Sequence, residues 1–460
     1  MHQDCFGLPM TAASHEAVDH YDETLRAFLG YRRDTGAHLK SALGADPDLF
    51  MGHCLRGYFF KLFTLPTLEH KARESAEKAR KLSKMISARE CEHLEALEAW
   101  CAGDMIECTE RWERILIEHP RDILALRLAH YCHFYMGHSF AMRTSIARVL
   151  PYWAANELGG GFVRGMYAFA LEENGDYGAA RDTGEEAVAL NPGDAWAVHA
   201  VAHVHETQGN RRDGISWLKR TEAGWKGCNN LAYHIWWHRA LFHFELAEHD
   251  EVFHLYDARF RADVSEDYLD ISNAVAMLWR LENNDIDVGR RWAELADKAE
   301  ARISDHLLVF ADLHFAIALG ADKRLAALDE MIETMRSNGD SVRNTQEKVL
   351  AQVGAILTKA IRAYYLGEYV FALRLMRPIM SRVCAVGGSH AQRDLFTQLQ
   401  ISAALKAKKY PFARALLHER TNLRPNDIRA WKLLAEALDG EGRVREAEEA
   451  RQHAEALLAA

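Results

Sequence analysis

Residues 428–459 read IRAWKLLAEALDGEGRVREAEEARQHAEALLA. Apolar residues recur at three- and four-residue intervals on both sides of Gly442-Arg443. That spacing predicts two amphipathic helices joined by a tight turn. The same punctuation recurs upstream. Lys408-Lys409 lies 34 residues before Gly442-Arg443, Gly175-Asp176 lies 34 before Gly209-Asn210, and Gly103-Asp104 lies 34 before Gly137-His138. Pro120, Pro192 and Pro425 each follow such a turn by 17 residues, where a second helix should stop. Alternating Val-Ile-Thr runs, the mark of strands, are missing.

A 34-residue helix–turn–helix period is the tetratricopeptide signature. Residues 428–459 match its side-chain pattern at Trp431, Leu434, Ala435, Leu438, Ala447 and Ala454; 161–194 at Ala168, Ala180, Ala187 and Pro192; 89–122 at Ala96, Trp112 and Pro120. The repeats are degenerate. The expected fold is all-α, a right-handed tetratricopeptide-like solenoid. Residues 1–66 fit the period least and are expected to form an atypical helical cap. Residues 67–388 should form repeats lining a concave pocket, and 389–460 further repeats and a cap, in one continuous superhelix.

The 460 residues are 49% hydrophobic and 27% charged, a globular composition. The formal charge is −10, whereas a phosphate-backbone binder should carry a basic surplus, so nucleic acid is excluded from the expected partners. No apolar run is long enough for a membrane span, and the start lacks a secretory signal. The eight cysteines form no C-x-x-C pair. Idle thiols in a reducing cytoplasm are the expected reading.

Several segments resemble the tetratricopeptide repeat protein 38 family, in order along nearly the whole chain. They are Asp4-Cys5-Phe6-Gly7-Leu8-Pro9, Ile117-Glu118-His119-Pro120-Arg121-Asp122, and 191–206 from Asn191-Pro192-Gly193-Asp194 to Val204-His205-Glu206. Tyr233-His234-Ile235-Trp236-Trp237-His238 and Gly387-Gly388-Ser389-His390-Ala391-Gln392-Arg393-Asp394 complete the set. The resemblance implies a curved array of helix pairs in which positions 2, 5, 6, 9 and 12 of each unit face the concave wall. It implies no agreed activity. Applied here, that wall contains Arg127, Tyr131, Phe162, Met166, Phe169, Glu172, Trp196, His199, His203, Glu206, His234, Trp237, His238, Asp270, Asn273, Phe310 and His314.

His199 and His203 are four residues apart and share a helix face, as do His234 and His238 in the next unit. Four imidazoles near Glu206 could hold a divalent metal, Zn²⁺, Mn²⁺ or Fe²⁺. Without metal, His203, Glu206 and His238 are the candidate acid–base residues. An H-E-x-x-H motif is absent, and such stripes also arise from packing alone. The first expectation is therefore a His- and aromatic-rich groove that binds a small molecule or peptide. The alternative is an enzyme, a metal-dependent hydrolase of a small amide or ester. A third is a ligand-free interaction scaffold. A homodimer through an apolar end helix is also expected among the partners. Gly387-Gly388-Ser389 is either an anion cradle or a helix start capped by Ser389, and the latter explains it more simply. Asp305 is expected to cap a helix, with His314 on the wall.

Overall fold

The computed structural model describes residues 2–339 and 344–459. Among them, helices succeed one another from His15 to Ala459, most as antiparallel pairs. The architecture is an all-α, tetratricopeptide-like helical-repeat solenoid. The repeat punctuation has a local cause. Pro120, Pro192 and Pro425 end a second helix, and two residues later Asp122, Asp194 and Asp427 cap the next first helix. Their carboxylates accept from the backbone N–H of Ala125, of Trp196 and Ala197, and of Ala430. Inside a pair the turn needs one left-handed residue. Gly137 is such a position (φ +68°), and a Cβ there would strike the carbonyl of Cys384.

First helices form an inner layer. Ile123–Tyr135, Ala195–Gln208, Leu231–Glu245, Tyr268–Glu282 and Val309–Ala321 are buried along nearly their whole lengths. A helix apolar on all sides must be covered on all sides. The second helices cover one side; distant parts of the chain cover the other. The helix His390–Lys406 packs against both Ala195–Gln208 and Tyr268–Glu282. His390 N–H donates to Glu173 (2.8 Å), and Arg424 pairs with Glu206 (2.9 Å). At the other end, the turn after His15–Leu29 reaches the segment before Leu231–Glu245. Arg33 Nε donates to the Cys228 carbonyl (2.9 Å), and Asn229 N–H to that of Tyr31 (2.8 Å). The coil closes on itself, so its inner wall is a core and not the open groove the sequence suggested.

Two further details differ from expectation. His2–Gln3 and Pro9–Met10 form a short antiparallel strand pair, held by Asp4, whose carboxylate accepts from the N–H of Phe6 and Leu8. Asp305 does not cap a helix: it pairs with Arg302 (2.8 Å), and the next helix starts at Val309.

Candidate metal centre

Asp194 starts the helix Ala195–Gln208 and Gly209 ends it, which fixes His199 and His203 on one face. The next first helix, Leu231–Glu245, presents His234 and His238 with the same spacing. The four rings are 0–3% exposed. One ring nitrogen from each lies within 4.8 Å of the other three. Within the helices the Nε2 atoms of His203 and His199 are 2.9 Å apart, and those of His238 and His234 3.2 Å. Imidazole nitrogens bound at about 2.0–2.1 Å to one tetrahedral ion sit about 3.3–3.4 Å from each other. The His238–His234 spacing is close to that, and the His203–His199 spacing is that of a ring-to-ring hydrogen bond, which a small shift would open.

Two of the outer nitrogens face polar partners, while Nδ1 of His199 and of His238 has none. His234 Nδ1–H donates to Asn273 Oδ1 (3.1 Å), which leaves the Nε2 lone pair facing the cluster. His203 Nδ1 lies 3.5 Å from Glu172 Oε2, and Glu172 Oε1 accepts from Thr207 Oγ1 (3.1 Å). Such outer partners orient and enrich metal-binding imidazoles. Phe169 stacks on His199 and Trp237 on His234, with rings tilted by 19° and 16°.

Burial pushes the pKa of His199 and His238 well below the ordinary histidine value, and that of His234 down to about 3. These rings are neutral, the form that binds metal. At His203 burial acts the same way, but the Glu172 hydrogen bond and the charges of Glu172, Glu173 and Glu206 outweigh it and raise the pKa. The fourth ring thus differs from the other three: burial keeps those neutral, whereas the carboxylates favour a proton on His203.

Glu172, Glu173 and His203 form a second cluster with ligand-like spacing. Glu173 is engaged elsewhere: it accepts from His390 N–H and pairs with Arg393 (3.2 Å). Gly387-Gly388-Ser389 thus opens a helix capped by Ser389, and the anion at its N-terminus is the chain's own Glu173.

Glu206 lies outside the four-histidine cluster, held by Arg424. Beside it, Arg211, Glu245, Arg280, Asp394 and Arg420 enclose a cavity of about 20 Å³, room for about one water. Asp270 accepts from Ser265 Oγ, and burial, helped by Asp267, raises its pKa to about 8. His314 donates to the Phe310 carbonyl (2.8 Å) and packs against Phe396. Met166 is buried, and Phe162 half-buried against the core.

Arg127 is enclosed. Its guanidinium carbon lies 4.8 Å from the Tyr31 ring, 4.6 Å from Tyr131 and 4.8 Å from Trp196. Sequence reasoning missed Tyr31, which sits outside the repeat period and arrives only through the closure of the coil. It placed Glu172 and Asn273 on the wall without their role. Glu172 and Thr207 are 35 residues apart, about one repeat, and that spacing was the available signal.

No family model matches the chain. Solved structures with a related path include the human IFIT1 dimer with PPP-AAAA, at 13% identity over 100% of this chain and 98% of that one, TM-score 0.40. The human IFIT1 dimer with m7Gppp-AAAA gives 13% identity over the same shares, TM-score 0.35. One expectation is corrected beside them. Nucleic acid was excluded because the whole chain is acidic, while the structures just named hold nucleic-acid ligands. Net charge summed over a whole chain says little about the lining of one site, so that exclusion does not stand.

Among the described residues, no helix is long and apolar enough to cross a membrane.

Proposed function

We propose that the protein is a metal-dependent enzyme acting on a small molecule inside a closed helical-repeat shell. The observation that carries this reading is the convergence of four buried imidazoles, two of whose outer nitrogens meet Asn273 and Glu172. His199, His234 and His238 would hold one Zn²⁺ or Fe²⁺; an all-nitrogen donor set favours these over Mn²⁺. Such an ion supplies Lewis-acid polarisation of a carbonyl, which suits hydrolysis of an amide or ester. His203, oriented by Glu172, would take up and return the proton. An extended peptide does not fit this reading, because the inner wall is covered from both ends of the chain. The fold and quoted segments support placing the chain with the tetratricopeptide repeat protein 38 family. Eight free thiols support a reducing, cytoplasmic setting.

The test is metal analysis of the purified protein beside a screen of small amides and esters. Near-stoichiometric zinc or iron is expected, lost in His199→Ala, His234→Ala and His238→Ala. His203→Asn should retain most of the metal and lose turnover by about a hundredfold or more. A wild-type protein that neither carries nor takes up zinc or iron would end this reading.

A further inference from the structure

Beside the four histidines lies a group of polar side chains that the metal reading does not use. Arg127 is 1% exposed, yet it forms no ion pair among the described residues. Its Nη2 donates to Tyr131 Oη (3.2 Å), and its Nε has no partner. Around it, both ring nitrogens of His130, Nε1 of Trp196 and one carboxylate oxygen of Asp194 are buried without hydrogen bonds. The other Asp194 oxygen caps the helix Ala195–Gln208. Asp194 is the carboxylate that acts on Arg127, through space and without an ion pair; a cation so weakly compensated is costly to bury, and unpaired buried donors add to that. Trp196 links the two groups: its ring is 4.8 Å from the Arg127 guanidinium and 4.9 Å from the His199 ring.

We propose that Arg127 anchors the carboxylate of a small acid with a flat apolar body, clasped by Tyr31, Tyr131 and Trp196, its far end turned toward the four imidazoles. The free Nε of Arg127, a His130 N–H and the Trp196 N–H supply three donors to an acceptor-only group. A single planar guanidinium matches a singly charged carboxylate. A phosphate dianion would call for a second cation beside Arg127. The aromatic rings suit an apolar body and exclude water from the ion pair. This deepens the metal reading by naming the substrate class; the binding itself stands on Arg127 whether or not the metal is there.

The test is calorimetric titration of the full chain with sodium benzoate and, separately, inorganic phosphate, with metal content measured on the same samples. Saturable benzoate binding is expected, with phosphate inert. Arg127→Met, uncharged and of similar length, should weaken it about thirtyfold or more while metal content stays at the wild-type level. If Arg127→Met does not fold, Arg127→Lys decides: it keeps the charge, loses the planar donor pair, and should bind about tenfold more weakly or worse. Wild type that ignores benzoate, phosphate bound in its place, or either variant binding benzoate unchanged overturns the proposal. Benzoate binding to a protein that neither carries nor takes up zinc or iron upholds it and defeats the metal reading alone.

Discussion

Glu172 Oε2 lies 3.5 Å from His203 Nδ1, with both side chains wholly out of solvent and on successive first helices of the coil. The pair makes one ring of the cluster electrostatically unlike the other three.

Replacing Glu172 by Gln keeps the volume and removes the charge. His203 then loses its main support for a proton, and its pKa falls toward those of its neighbours. The pH profile of turnover should lose the limb that reports this ring, while metal content changes little. An unaltered profile would remove His203 from the proton-transfer role.

Acid should unfold the metal-free protein early. His199, His234 and His238 have folded pKa values below the ordinary value of 6.5. The unfolded chain therefore binds protons that the folded one refuses. Their share of stability is complete above pH 6.5 and falls away as pH drops toward about 3 for His234, by about 1.4 kcal/mol per pH unit for each ring. His203 runs the other way: its contribution is full below 6.5 and is lost as pH rises through its raised folded pKa. Thermal melts of chelated protein from neutral pH downward check the sum, and His234→Asn should flatten the slope. Melts that stay level below pH 6.5 would contradict these neutral rings.

Asp122 binds Arg89 (2.7 Å) and His93 (3.0 Å) and caps the helix Ile123–Tyr135. Burial opposes its charge, but the charges of His93 and Arg89 outweigh this and hold its carboxyl well below the usual range. Asp122→Ala strands Arg89 and uncaps the helix, at a cost of about 3–5 kcal/mol. Denaturant unfolding measures it; a cost below about 1 kcal/mol would mean that the pair contributes little.

Glu206→Gln separates two roles the sequence left joined. The carboxylate holds Arg424 and stands apart from the four-histidine cluster. Stability should drop by about 1–2 kcal/mol as the partly buried Arg424 loses its partner, with metal and turnover retained. Metal loss in a folded Glu206→Gln protein would place Glu206 in the centre after all.

The helix pairs were readable because their punctuation is local. Pro192 stops one helix and Asp194 caps the next within three residues, and Gly209 closes it. The two histidine pairs were equally plain, since a four-residue spacing fixes a shared face. The closure was not readable. Nothing near Tyr31 in the sequence announces Trp196 or Arg127, and nothing near Arg424 announces Glu206. Those contacts join residues about a hundred to more than two hundred positions apart, as in the Tyr131–Tyr31 and Arg424–Glu206 bonds. They decide whether the wall is a groove or a core. Glu206 looked like a member of the cluster because it sits one turn beyond His203, but a helix face says nothing about which distant helix covers it.

An open solenoid unravels from its ends, because each unit touches only its neighbours. Here regions near both ends are tied back to the middle of the chain. Clasped by Arg33 on the Cys228 carbonyl and by Asn426 on that of Gln208, this chain couples the turn after its first helix, and the turn before its last helix pair, to its middle. Unfolding should then be one cooperative event, and trimming either terminus should be felt at Trp196 and the imidazoles rather than at the cut.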